Sequence, residues 1–413
     1  MKKLIVVLCF IFASMPMNVY AQLKVWSFTD EVTGMINKYF IPTHKNVPVQ
    51  TAMFSTEEFP GKLDAVLASG QGVPDVIALE SSFVRKYVES GQLLDITDIY
   101  EANKSKLLAY PVQVGTYNGK VYALSWQACP GAMFYRRSLA KKYLGTDDPK
   151  AVQAYFSTVN KFLETAMLLK EKSGGSCAVV SDIGDLYQPI MSARFSPWIV
   201  DGKLVIDPMV DMFLNLCKTM NDNGLFAGGG QWSENWFAGM RGEAKNGEGK
   251  PVEVFSYFLP TWGLHYVLKT NAPKTSGDWA VIPGPSPYRW GGTWLGIYKG
   301  TNNPSDAKEL IRYLTTDDAF LEKYAKATGD LVSNTVVVNK IKKNFKEPFL
   351  KNQNHYAEFA DMAQNVNGRL IQGTDQIIEE IFNKEVLPYT WGEKSKEQAL
   401  DDFKAQVKAQ LGF

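Results

Sequence analysis

Three short apolar strands with capped helices between them open the chain behind its first two dozen residues, and they leave few folds open. In "QLKVWSF", Leu23 and Val25 alternate with polar neighbours and Phe28 closes the run, as in a strand. "TDEVTGMINKYF" then offers Thr29 as a cap, acidic residues in its first turn, and Val32, Met35, Ile36 and Tyr39 on one helical face. "VPVQTAMF" reads as a second strand, and "STEEFPGKLDAVLAS" as a helix burying Phe59, Leu63, Val66 and Leu67. "PDVIALE" reads as a third strand, apolar throughout as a strand covered on both faces must be. This repetition predicts a parallel sheet packed against helices, an α/β fold. Ligands meet such sheets where loops beyond the carboxyl edges converge on a crevice. Residues 26–30, 55–57 and 80–82 therefore form one rim of a candidate site.

Ahead of these rounds, Lys2 and Lys3 precede an apolar run from Leu4 to Ala13, with Val19 and Ala21 at the spacing a signal peptidase reads. Cleavage between Ala21 and Gln22 is expected. The run is shorter than the roughly 20 residues that span a bilayer, and no later run reaches that length, so an exported soluble protein is expected. Cys9 follows the bulky Leu8, where a lipoprotein signal has a small residue, so no lipid anchor is expected. Removing the leader leaves 413 − 21 = 392 residues, more than one core usually serves, and two domains follow. The net charge is +1, or +1 − 2 = −1 without Lys2 and Lys3, which implies no basic surface for nucleic acid or anionic lipid. The remaining cysteines, Cys129, Cys177 and Cys217, allow at most one bridge and are no disulfide framework. The histidines are scattered singly, no HxxxH or CxxC spacing exists, and neither a metal nor a cofactor is expected.

Further along, a strand over 121–125 is followed by a break at Cys129-Pro130-Gly131, a strand over 132–135, and a helix from near Ser138. A break of that kind suits a crossing between lobes. Helical segments such as "VNKFLETAMLLKEK" and "DMFLNLCKTMNDNG" then alternate with the strands "SCAVVSD" and "VEVFSYF", which predicts a second α/β lobe. "NPSDAKELIRYLTTDDAFLEKYAKAT" is helical, started by Asn303 or Ser305. From about Asn354 the chain is nearly all helix, broken by Gly373, Pro388 and Gly392.

Five stretches in this order carry a resemblance: the leader before "LKVWSF"; "EEFPGKLDAVLASGQGVPDVIALESS"; "YNGKVYALSWQACPGAMFYRRSL"; "GDWAVIPGPSPYRWGGTWLGIYKGTNNPSDAKELIRYLTT"; and "SKEQALDDFKAQV". Together the chain resembles the extracellular solute-binding proteins of carbohydrate ABC importers, similar in architecture to maltose-binding protein. The resemblance implies a two-lobed periplasmic-binding-protein fold with hinge crossovers and a C-terminal helical segment. It also implies a ligand clamped between the lobes and delivery to a membrane permease. Carried onto this chain, the crossings fall near Cys129 to Gly131, Pro285 to Gly292 and Gly329 to Asn334. One lobe is then 22–128 plus about 290–330, and the other about 129–289 plus 331–413. The absence of a cysteine just after the leader implies a freely diffusing periplasmic form where a second membrane retains it, and a monomer is expected.

A sugar presents apolar C–H faces and a rim of hydroxyls, so its site needs flat aromatic platforms edged by planar polar groups. The aromatic share of 13%, with 10 Trp and 19 Tyr, fits that demand. In "PYRWGGTWLG", Gly291 and Gly292 would let the backbone pass close to a ligand while Trp290 or Trp294 lies on a ring. The candidate binding residues are Trp26, Trp126, Trp236, Trp262 and Trp294 as platforms, with Gly292 beside them. Glu80 and Asp182, each ending an apolar strand, join Gln127 and Asp330 at two crossings as polar partners. Burial in a lobe interior competes for every tryptophan, and helix capping or turn chemistry for the carboxylates. Trp279 reads as core, while Trp198, Trp232 and Trp391 stay unassigned. Two functions compete on the residues alone. Aromatic boxes with acids also hold polyamines or choline-type cations. A glycan-active enzyme would need two acids fixed across one bond, and no motif ties such a pair together.

Overall fold

A computed structural model describes residues 22–412, and the expected signal peptide, residues 1–21, lies outside the described residues. The strands of the two larger sheets, in chain order, are β1 (Leu23–Ser27), β2 (Val49–Met53), β3 (Val76–Glu80), β4 (Ala123–Ser125), β5 (Pro130–Arg136), β6 (Ser256–Pro260), β7 (Trp279–Ile282), β8 (Tyr288–Arg289) and β9 (Thr293–Ile297).

The first sheet runs β2-β1-β3-β9-β4. β1 pairs in parallel with β2 and β3, as the opening rounds dictate, since parallel neighbours need a long crossover between them. β9 is antiparallel to both β3 and β4, because it enters from the second lobe. The parallel layer expected from sequence is therefore a mixed sheet. Thr29 caps the helix Asp30–Met35 by accepting the Glu31 N–H at 3.3 Å. The helix after β2, Phe59–Ser69, starts four residues into the stretch 55–69 that the pattern predicts, with Pro60 in its first turn where a missing N–H costs nothing.

The second sheet runs β6-β5-β7, all antiparallel, with β8 continuing along β5. The tight approach of β8 explains Gly131, since a Cβ there would sit 1.9 Å from the Tyr288 ring. Helices Val159–Ser173 and Pro208–Asp222 pack Phe162, Leu169, Phe213 and Leu216 around this lobe. The C-terminal helices Asp375–Glu385 and Lys396–Leu411 add Phe382, Phe403 and Val407 to the same core, where Trp198 is enclosed. Helices Pro304–Thr316 and Asp318–Thr328 return to the first lobe behind β9. The three described cysteines are buried free thiols.

Three chain segments lie side by side between the sheets. The first runs from the end of β4 to Pro130, the second from Arg289 to Thr293, and the third from Thr328 to Thr335. Gln127 bridges Val332 antiparallel, the Ala128 N–H donates to the Leu331 carbonyl at 2.7 Å, and the Ser333 N–H to the Trp126 carbonyl at 2.8 Å. The Trp290 N–H donates to the Cys129 carbonyl at 3.1 Å, tying the second segment to the first. One apolar cluster runs from Val25 and Leu295 through Trp126 and Leu331 at the crossings to Phe134 and Tyr257. The lobes thus share a packed spine with the cleft opening beside it.

Candidate functional site

Between the carboxyl ends of β1 and β3 and the loops of the second sheet lies a cavity of about 480 Å³. The first lobe contributes Phe28, Thr29, Glu31, Thr56, Glu57 and Glu80. The second contributes Trp232, Trp262, His265 and Tyr266. The crossings supply Gln127, Trp290, Gly291, Gly292 and Thr293.

The second-lobe wall is aromatic. Trp232 and Trp262 are nearly parallel, their planes 9° apart and centroids 6.3 Å apart. Trp290 stands across both, 5.6 Å from Trp262 at 63° and 6.0 Å from Trp232 at 66°. The Trp262 Nε1–H donates to the Trp290 carbonyl at 3.1 Å, which fixes that ring. A side chain at Gly291, which adopts φ +70°, would press on the Trp262 indole at 3.1 Å. Trp232 itself adopts φ +68°, a conformation costly for a bulky residue. The residue is 48% exposed, with its side chain on the cavity wall. Its loop is held from below. Asp185 Oδ1 accepts the Gln231 Nε2–H at 3.2 Å and the Trp236 Nε1–H at 2.9 Å, and Asp185 Oδ2 accepts the Ser181 N–H at 3.0 Å. Burial pushes the Asp185 carboxyl up to about 7.

The first-lobe wall and floor are polar. Glu80 accepts the Ser81 hydroxyl at 2.7 Å and the Ser82 N–H at 2.6 Å, which orients its carboxylate at the end of β3. Gln127 Nε2 donates to Asp330 Oδ2 at 2.9 Å. Asp330 lies fully buried beneath, and burial, opposed by His265, pushes its carboxyl up to about 6. Glu31 accepts the Tyr324 hydroxyl and lies 3.6 Å from His265 Nε2. Burial disfavours charge on His265, but the Glu31 bond and the Asp330 field outweigh it and raise its pKa.

The structure places Glu80, Gln127, Trp262 and Gly292 on the cavity wall, together with Trp290. It places the other sequence candidates elsewhere, for packing reasons. Trp126, Trp236 and Trp294 are buried in the core, and Trp294 Nε1 donates to the Pro111 carbonyl at 2.7 Å. Trp26 leans on Phe54, centroids 4.7 Å apart, away from the cavity. Asp182 caps the turn into helix Gly184–Met191 by accepting the Gly184 N–H at 2.9 Å, and its other carboxylate oxygen lies close beside Gly230. Asp330 is fully buried behind Gln127 and is not on the cavity wall. Trp279 is core, as its strand pattern predicts. Sequence reasoning passed over Glu31, His265 and Tyr266 and left Trp232 unassigned. The glycines of "GGGQWSENW" were the available signal for Trp232, since they mark a loop that presents the ring ahead of a helix cap at Ser233.

A family profile described as bacterial extracellular solute-binding protein matches residues 37–352. The chain belongs to this family. The arabinooligosaccharide-binding protein of Bacillus subtilis (strain 168) is 21% identical, with 94% of this chain and 92% of that protein covered. Among solved structures, an extracellular solute-binding protein of family 1 superposes with a TM-score of 0.79 at 21% identity, covering 93% of this chain and 99% of the other. The ABC transporter associated binding protein from B. animalis subsp. lactis Bl-04, in complex with β-1,6-galactobiose, superposes with a TM-score of 0.75 at 21% identity, covering 94% and 97%.

This solute-binding protein therefore has the two-lobed α/β fold that its sequence resemblance implied. It is a binding protein rather than an enzyme, and membership of the family locates it in the periplasm or outside the cell. The sheet edges, crossings and aromatic wall meet in one crevice, which is where open α/β sheets bind small molecules.

Proposed function

We propose that this solute-binding protein captures a mono- or oligosaccharide between its lobes and delivers it to the permease of an ABC importer. The tryptophan trio Trp232, Trp262 and Trp290 carries the reading. Three indoles at ring-to-ring distances of 5.6–6.3 Å offer flat apolar area to sugar C–H faces. Glu80 and Gln127 stand within the same cavity as planar hydrogen-bonding edges. The ligands named for the relatives, an arabinooligosaccharide and a galactobiose, support the same class. Binding closes the lobes about the three crossings, with the ligand selecting the closed form. The binding set is Trp232, Trp262, Trp290, Tyr266, Glu80 and Gln127, with Gly291 and Gly292 giving close backbone approach. The protein works as a periplasmic monomer, free of lipid and of nucleic acid, after cleavage behind Ala21.

A thermal-shift screen over arabinooligosaccharides, galactobiose, maltooligosaccharides, polyamines and choline tests the reading. A ligand at 100 times its Kd stabilises by about 2.7 kcal/mol, a shift of several degrees. A sugar is expected to give it. A shift with polyamine or choline and none with any sugar overturns the proposal. The mass of the exported protein, expected to begin at Gln22, tests the processing.

A further inference from the structure

The charges around the cavity are lopsided. Glu31, Glu57 and Glu80 line it, and among the described residues no lysine or arginine does. Asp330 adds a fourth carboxyl behind Gln127. The opposing charges are weaker or further away. His265 is the one basic group on the wall, and it already faces Glu31. Arg289 lies behind the second crossing, where the buried carboxyls Asp375 and Glu379 face it as well as Glu80. Glu57 is exposed and, among the described residues, makes no hydrogen bond or ion pair to another side chain, so no protein cation offsets it.

We propose that the cleft selects uncharged sugars and rejects anionic ones, with Glu31, Glu57 and Glu80 as the residues that set this specificity. The inference rests on the carbohydrate reading above and narrows its ligand class. Uronates, sugar phosphates and sulfated sugars need a cationic partner or an amide nest to replace lost water. Here they would meet carboxylates instead. At roughly 8 Å and an effective dielectric of about 20, a single like-charge pair disfavours binding by a factor of about 30. Three such groups outweigh the one shared histidine. Neutral hydroxyls suffer no such penalty, since a carboxylate accepts their hydrogen bonds well.

The test measures affinity of the mature chain by calorimetry for β-1,6-galactobiose, maltotriose and arabinotriose. Each is paired with the form in which one primary hydroxyl is oxidised to a carboxylate. For whichever neutral probe binds, the oxidised partner is expected to bind at least 30-fold more weakly at low salt. That gap is expected to shrink in 0.5 M salt, which screens charge without removing any contact. Glu57→Gln, at an exposed position, is expected to narrow the ratio by about tenfold, and Glu80→Gln to narrow it as well. An oxidised sugar that binds within threefold of its neutral partner overturns the selectivity and leaves the carbohydrate reading standing. A ratio insensitive to salt and to both variants also overturns it. If none of the neutral probes binds, the carbohydrate reading falls and this inference with it.

Discussion

Trp290 and Trp294 are four residues apart and differ in role because one lies in a crossing and the other in a sheet. Trp294 belongs to β9, every residue of which is buried, and its indole is sealed under the Pro111 carbonyl. Trp290 precedes the strand, is half-buried, and keeps a face in the cleft. The same contrast separates Trp236 from Trp232. Trp236 is enclosed with its Nε1–H on Asp185, while Trp232, on a left-handed loop position, is half exposed on the cavity wall. Opposite outcomes are expected for the two kinds of tryptophan. Trp232→Ala should weaken ligand binding by about 30-fold or more, as loss of an aromatic anchor does, with little change in Tm because the ring is half exposed. Trp294→Ala should cost about 3–5 kcal/mol of stability through the cavity it leaves. Calorimetric titration with ligand, beside thermal melts of both variants, separates the two.

The crossings and the Trp232 loop are where elements carry the site. Gly292 adopts φ +117°, and a Cβ there would sit 3.0 Å from the Trp294 ring and 3.4 Å from Cys129 Sγ. Gly292→Ala should therefore cost about 1–3 kcal/mol from backbone strain alone, and a lowered Tm checks it. The loop's anchor makes stability depend on pH. The Asp185 carboxyl, pushed by burial up to about 7, holds a proton in the folded state at pH values where the unfolded chain has released it. Folded protein binds more protons between about pH 4 and 7, so this contribution is largest at the acid end and declines as pH rises toward 7. Asp330 and Glu379, raised by burial to about 6 and about 7, act in the same direction. Asp185→Asn should flatten part of the decline, visible as a smaller difference in Tm between pH 4.5 and pH 7.5.

At the scale of the whole molecule, the contact between His265 and Glu31 joins the two lobes across the cleft floor. His265 lies in the second lobe just after β6, and Glu31 in the first lobe just after β1. The raised pKa of His265 fixes the sign. The contact is fully present below the ordinary imidazole value and is lost as pH rises through the raised one. If closure draws on this contact, ligand affinity should be higher in mildly acidic than in alkaline buffer. His265→Gln should remove that dependence. Titrations of both proteins from pH 5.5 to 8.5 check it, and parallel curves for the two would sink the coupling.

Local pattern by itself determined the strand and helix rounds of the first lobe, the Thr29 cap, and the positions of Glu80 at a strand end and Gln127 at a crossing. These follow from periodicity and turn chemistry within a few residues of each position. The same alternation indicated a second α/β lobe, and the resemblance added the clamp between the lobes and the order of the crossings. Only the tertiary structure decided that β9 returns antiparallel between β3 and β4, since its neighbours lie some 170–220 positions earlier in the chain. Only it decided which tryptophans face the cleft, because a ring's exposure depends on what remote segments lay over it. Pro111 covers Trp294, and Asp185 with Tyr257 encloses Trp236. Glu31 and His265 sit 234 residues apart, and nothing near either one in the chain announces that they meet.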